Sequence, residues 1–125
     1  MKVKIAREFD VVLPCDESLP PEEQTVWHCR RLDYREETRM SSVAERVGQA
    51  EAGRLAIKAG LTGVTNLFDD DGHEVPFKTA VESPLGMKRT APHDEFLNLL
   101  DVDTRLDLAN RIIDANTITE DDAKN

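Results

Sequence analysis

Residues 24–47, QTVWHCRRLDYREETRMSSVAERV, carry two periodicities back to back. From Gln24 to Leu32 the period is two. Val26, His28 and Arg30 fall on one face, and Trp27, Cys29 and Arg31 on the other, as in a strand with one buried side. After Asp33 the period lengthens. Met40, Val43, Ala44 and Val47 fall at i, i+3, i+4 and i+7, the apolar stripe of an amphipathic helix. Asp33 suits the N-cap, and Glu36 three residues on completes the spacing of a capping box. A strand that hands over to a helix within a few residues predicts a mixed fold.

Toward the N-terminus, Val3, Ile5, Phe9, Val11 and Leu13 also follow period two, with a bulge expected near Ala6 and Arg7. Pro14 ends that ladder because it has no N–H to donate. The polar connection over residues 16–23, DESLPPEE, is short enough that the two runs pair as an antiparallel hairpin over residues 1–32. Toward the C-terminus, Ala52, Leu55, Ala56 and Ala59 repeat the helical spacing on a slightly rotated face. Residues 33–60 therefore read as one long helix or two abutting ones, with Gly48 and Gly53 as weak points and Gly60 as the C′ residue.

Residues 61–77 read as a hairpin or tight loop about the Asp71-Gly72 turn, and residues 78–91, with Pro84 and Gly86, as a mobile loop. Residues 92–125 are helical: a short helix with Phe96, Leu97, Leu99 and Leu100, then a second carrying Val102, Leu106, Leu108, Ala109, Ile112 and Ile113. A final turn is capped by Thr119 and stapled by Ile118 and Ala123. The expected fold is α+β in a single domain: a small N-terminal antiparallel hairpin or sheet packed with a long central helix and a helical C-terminal third.

The chain has 125 residues and can bury one modest core. With one Trp, one Tyr and four Phe, that core must rest on Leu, Val, Ile and Ala. A net charge of −9 argues against general binding to nucleic-acid phosphates and to anionic membranes. The acids are interleaved with bases, as in Arg35-Glu36-Glu37-Thr38-Arg39, which weakens a reading as a nucleic-acid mimic. No stretch has the apolar length of a membrane span, and the opening residues lack a signal-peptide core. Cys15 and Cys29 are then expected as two buried, unpaired thiols in a reducing cytoplasm.

No constellation points to catalysis, a metal or a cofactor. Aligned as a calcium loop on Gly72, the Asp69–Asp71 run has Leu67 and Lys78 where the first and last ligands belong, so it reads as a solvated acidic turn. His28 and Cys29 are adjacent on a strand and point to opposite faces, which disfavours a zinc site with Cys15. Ser41, Ser42 and Ser83 lie in no nucleophile elbow, and no phosphate or dinucleotide fingerprint is present. Arg30, Arg31, Arg35, Arg39 and Arg46 are the one local departure from acidity. They read either as a salt-bridged solvated face or as a docking surface for an acidic partner, such as the acidic C-terminal region of another copy.

Three stretches resemble small proteins of tailed bacteriophages: FDVVLPCDESLPPEEQTVWHCRRLDYREETRM, LAIKAGLTGVTNLFDDDGHEVPF and LDLANRIIDANTITEDDAKN. The resemblance implies a role in virion morphogenesis, tail-assembly-chaperone-like or as a head or tail accessory, in the host cytoplasm or the virion. It implies no catalytic residues. The expected partners are other phage structural or assembly proteins, or a second copy, with no nucleic acid and no membrane. Leu106, Ile112, Ile113, Arg35, Arg39 and Arg46 are the expected contact residues. The alternatives are a phage-encoded inhibitor of a host defence protein, acting through its acidic surface, and a small enzyme with an unrecognised site.

Overall fold

The computed structural model describes Met1 and residues 7–116. Its elements are β1 (Glu8–Val11), β2 (Val26–Arg30), α1 (Tyr34–Arg46), α2 (Gln49–Gly60), β3 (Leu61–Thr65), β4 (Thr79–Glu82), β5 (Arg89–Pro92), α3 (Asp94–Leu97) and α4 (Val102–Ala115). Single 3-10 turns at Pro14–Asp16 and Pro21–Glu23 lie in the β1–β2 connection. The fold is α+β, and no helix among the described residues is long and apolar enough to cross a membrane.

The first sheet is antiparallel in the order β1-β2-β3, with β2 in the centre. Phe9 faces Cys29 and Val11 faces Trp27 across β1 and β2, while Trp27 faces Val64 and Cys29 faces Leu61 across β2 and β3. Trp27 and Cys29 are buried with Val11 and Leu61, so the alternation read from the sequence selects the face that meets the core. The register shifts between His28 and Cys29, where β3 carries an extra residue. The bulge expected near Ala6 and Arg7 falls partly outside the described residues, as does the turn expected at Thr119.

Asp33 caps α1 as its side chain accepts from the Glu36 amide at 2.9 Å, and Glu36 accepts from the Asp33 amide at 3.2 Å. The long helix is two helices. Gly48, at φ 134°, lets the chain turn between α1 and α2 in a conformation that a side chain would disfavour. Gly53 stays inside α2.

Gly60 is not a left-handed C′ residue. It is the last residue of α2, and Leu61 continues directly into β3. A side chain is excluded there for a different reason: a Cβ on Gly60 would lie 2.6 Å from Cγ2 of Ile112 in α4. The glycine is a close-approach site between two helices, a requirement set by a residue 52 positions away in the sequence numbering.

Two further expectations are corrected. Residues 61–77 are not one hairpin, because Leu61–Thr65 leaves to become an edge strand on β2. The Asp71-Gly72 turn remains, closed by a bridge between Phe68 and Glu74, with Gly72 at φ 81°. Residues 78–91 are not a loop but most of a second antiparallel hairpin, in which Thr79 faces Pro92 and Glu82 faces Arg89. It buries Leu85 and Ala91, and its strands also carry charges that meet the helices, Glu82 on Lys58 and Arg89 on Glu36.

Candidate functional site

Helices α2 and α4 pack together and leave a surface groove of about 500 Å³ between them and α3. Ile57 and Leu97 form its base, and Leu106, Val102 and Ile113 line the α4 side. Leu106 is 55% exposed and Val102 59% exposed, unusually open for aliphatic side chains on a helix that also buries Leu108, Ala109 and Ile112. The apolar stripe of α4 is therefore wider than the core requires. Half of it completes the interior and half opens into the groove.

This division separates the expected contact residues. Leu106 and Ile113 line the groove together. Ile112 does not: it is fully buried against Gly60 and belongs to the core. Leu106 and Ile113, seven residues apart, share one azimuth, whereas Ile112 lies about 100° further round the helix, on the side that α2 covers.

The rim carries Arg54 and Arg105, with Asp94 from α3. Arg54 forms an i, i+3 pair with Glu51 at 2.7 Å. Asp94 is held by Lys58, Nζ to Oδ1 at 2.6 Å, and that hydrogen bond keeps its carboxyl below the ordinary range.

Arg35, Arg39 and Arg46 are also brought together. With Tyr34, Thr38 and Ser42 they line a second, shallower groove of about 380 Å³ along α1. Arg30 leaves that cluster. Its guanidinium reaches the fully buried carboxylate of Glu36 in a two-point contact, Nη2 to Oε2 at 2.7 Å and Nη1 to Oε1 at 3.1 Å. Arg89 of β5 reaches the same carboxylate at 3.0 Å. Burial alone would push the Glu36 carboxyl up, but hydrogen bonds from Arg30, Arg89 and the Asp33 amide outweigh it and hold the group below its usual value.

A second buried charge was not expected either. Lys58 is 1% exposed and its ammonium lies 2.7 Å from Glu82 and 2.6 Å from Asp94. Burial would lower its pKa, but the two carboxylates raise it above the ordinary lysine value. The signal available in the sequence was a lone lysine within Leu55-Ala56-Ile57-Lys58-Ala59. A charge inside an apolar helical run needs a partner, although the sequence does not say which.

The other candidate chemistry resolves into structural roles. His28 is half-buried, with Nδ1 2.8 Å from Asp10 and Nε2 2.7 Å from the Thr65 hydroxyl, both on the sheet face opposite Cys29. Cys29 is a buried free thiol whose pKa burial pushes up to about 12, but Cys15, expected to be buried as well, is a free thiol on the surface. Asp69, Asp71 and His73 lie near one another and are exposed. The Asp69 carboxylate accepts from the amides of Asp71 and His73 at 2.9 Å each, so it builds the turn.

No protein-family model, characterised protein or solved structure matches the chain significantly.

Proposed function

We propose that this protein acts in bacteriophage virion morphogenesis by protein–protein contact, as a tail-assembly-chaperone-like or head or tail accessory protein, without a catalytic step. The observation that carries this reading is the α2–α4 groove, with Leu106 and Val102 held open on a helix that is otherwise core. Apolar side chains exposed in one contiguous depression mark an interaction site more often than chance scatter does. The resemblance of the same C-terminal stretch to small phage proteins supports the setting.

The occupant that fits is the apolar face of an amphipathic helix on another assembly protein. Its flank would be acidic near Arg105, which stands on the rim with no carboxylate partner among the described residues, whereas Arg54 and Asp94 are already matched by Glu51 and Lys58. Such a helix would place its apolar residues between Val102, Leu106 and Ile113 of α4 and Ile57 of α2.

The test is capture by tagged protein during infection with the phage that carries this gene, followed by identification of the bound proteins. An identified virion or tail protein, bound by the wild type and lost in a folded Leu106→Asp variant, supports the reading. Capture of a host defence enzyme through the same groove, or equal binding by Leu106→Asp, overturns it. Neighbouring genes give a second check: head or tail genes on both sides are expected.

A further inference from the structure

Arg35, Arg39 and Arg46 stand at i, i+4 and i+11 on α1, and all three are exposed. On a helix those offsets fall within about 40° of one another and span about 16 Å along the axis. Among the described residues, none of the three has an ion-pair or hydrogen-bond partner. In contrast, Arg30, Arg54, Lys58, Lys78 and Arg89 are all paired with carboxylates. Arg7, Lys88, Arg105 and Arg111 also lack a carboxylate partner among the described residues, so what sets Arg35, Arg39 and Arg46 apart is that they share one face of one helix on a chain of net charge −9.

Helix α4 carries its counterpart. Asp103, Asp107 and Asp114 also stand at i, i+4 and i+11, are exposed, and have no ion-pair partner among the described residues. Arg111 lies at the edge of this stripe and pairs with neither Asp107 nor Asp114. The hydrogen-bonding residues keep step as well, since Ser42 follows Arg35 by seven and Asn110 follows Asp103 by seven. This acidic face adjoins the groove-lining side of α4 without coinciding with it. Both stripes are unsatisfied among the described residues.

We infer that the arginine stripe of α1 docks on the aspartate stripe of α4 in a second copy of this chain, with Arg35, Arg39 and Arg46 opposite Asp103, Asp107 and Asp114. One exposed ion pair contributes little, because water competes and two long side chains must be ordered. Three in one register act together. The ordering cost is reduced at Arg39, whose guanidinium already lies against the β4–β5 turn: a Cβ on Gly86 would come within 3.0 Å of its Nη2. Each copy presents one stripe of each sign, so the contact selects copies of itself and tolerates the net repulsion between acidic molecules only where the charges meet.

Reciprocal charge exchange tests this. One variant carries Arg35→Glu, Arg39→Glu and Arg46→Glu, and a second carries Asp103→Lys, Asp107→Lys and Asp114→Lys. Circular dichroism checks folding, and Arg→Gln and Asp→Asn sets serve as milder versions. Sedimentation should show wild-type self-association that weakens at least about tenfold between low and high salt, as exposed charges are screened. Each triple variant alone should be monomeric, and their equimolar mixture should associate again. A monomeric wild type at low salt, salt-independent association, or a mixture that stays monomeric overturns the assignment. So does arginine-dependent binding of a fluorescent DNA duplex that prevents self-association, which would give the stripe to phosphate instead.

Discussion

Glu82 and Arg89 face each other across the β4–β5 hairpin, yet each directs its charge to a different helix. Glu82 bonds Lys58 of α2 at 2.7 Å, and Arg89 bonds Glu36 of α1 at 3.0 Å. A cross-strand pair of opposite sign would ordinarily meet itself. Here it is opened into two clamps, and the hairpin becomes a strap fastened to both helices. The buried members, Glu36 and Lys58, make the clamps costly to break, because a charge left alone in the interior has no water to turn to.

Replacing Glu36 by Ala removes the carboxylate shared by Arg30 and Arg89. The expected loss is about 3–5 kcal/mol, as for breaking a buried pair by removing one partner. Urea unfolding measures it. A loss below about 1 kcal/mol would show that the network acts like an ordinary surface pair.

The same groups set the pH dependence. Glu36 has a folded pKa below its unfolded value of about 4.3, so its contribution is present above that value and is lost as pH falls through the folded pKa. Lys58 is the reverse: its folded pKa lies above about 10.4, so its contribution is complete below that value and is lost as pH rises through the folded one. Glu36→Gln should therefore flatten the acid limb of the stability curve, and Lys58→Met the alkaline limb. Thermal melts across pH distinguish the two; a variant that leaves its own limb unchanged removes that clamp from the account.

At the α2–α4 crossing, Gly60→Ala would force a methyl group onto Ile112. Overpacking of this kind costs about 1–3 kcal/mol. In an Ile112→Ala background the obstructing Cγ2 is gone, and the cost of Gly60→Ala should shrink. Additive effects in that double-mutant cycle would mean the two residues are not in contact in solution.

Along α4, Ile112→Asp should unfold the protein, because Ile112 is fully buried. Leu106→Asp should leave circular dichroism and the melting temperature nearly unchanged, since that side chain is half in water already. If both variants unfold, the groove is closed in solution and the docking surface lies elsewhere.

Millimolar calcium should leave the melting temperature unchanged beyond an ionic-strength control. The Asp69 carboxylate is engaged by two amides of its own turn, and the neighbouring acids are exposed. A calcium-specific rise would reveal binding to the native state.

Local pattern made the strand-to-helix switch at Asp33, the capping box, the buried alternation of Trp27 and Cys29 and the C-terminal helices legible in advance. Each depends on residues within a turn or two of one another, where periodicity and side-chain chemistry act directly. The β4–β5 hairpin was missed because its strands are only four residues each and their charged members are held by Lys58 and Glu36, which lie on other elements. Gly60 looked like a helix stop because its constraint, Ile112, is remote in sequence. The division of the α4 stripe into core and groove also depended on where α2 crosses. Long-range contacts decided these points, because burial is a property of the assembled neighbours and not of the residue that is buried.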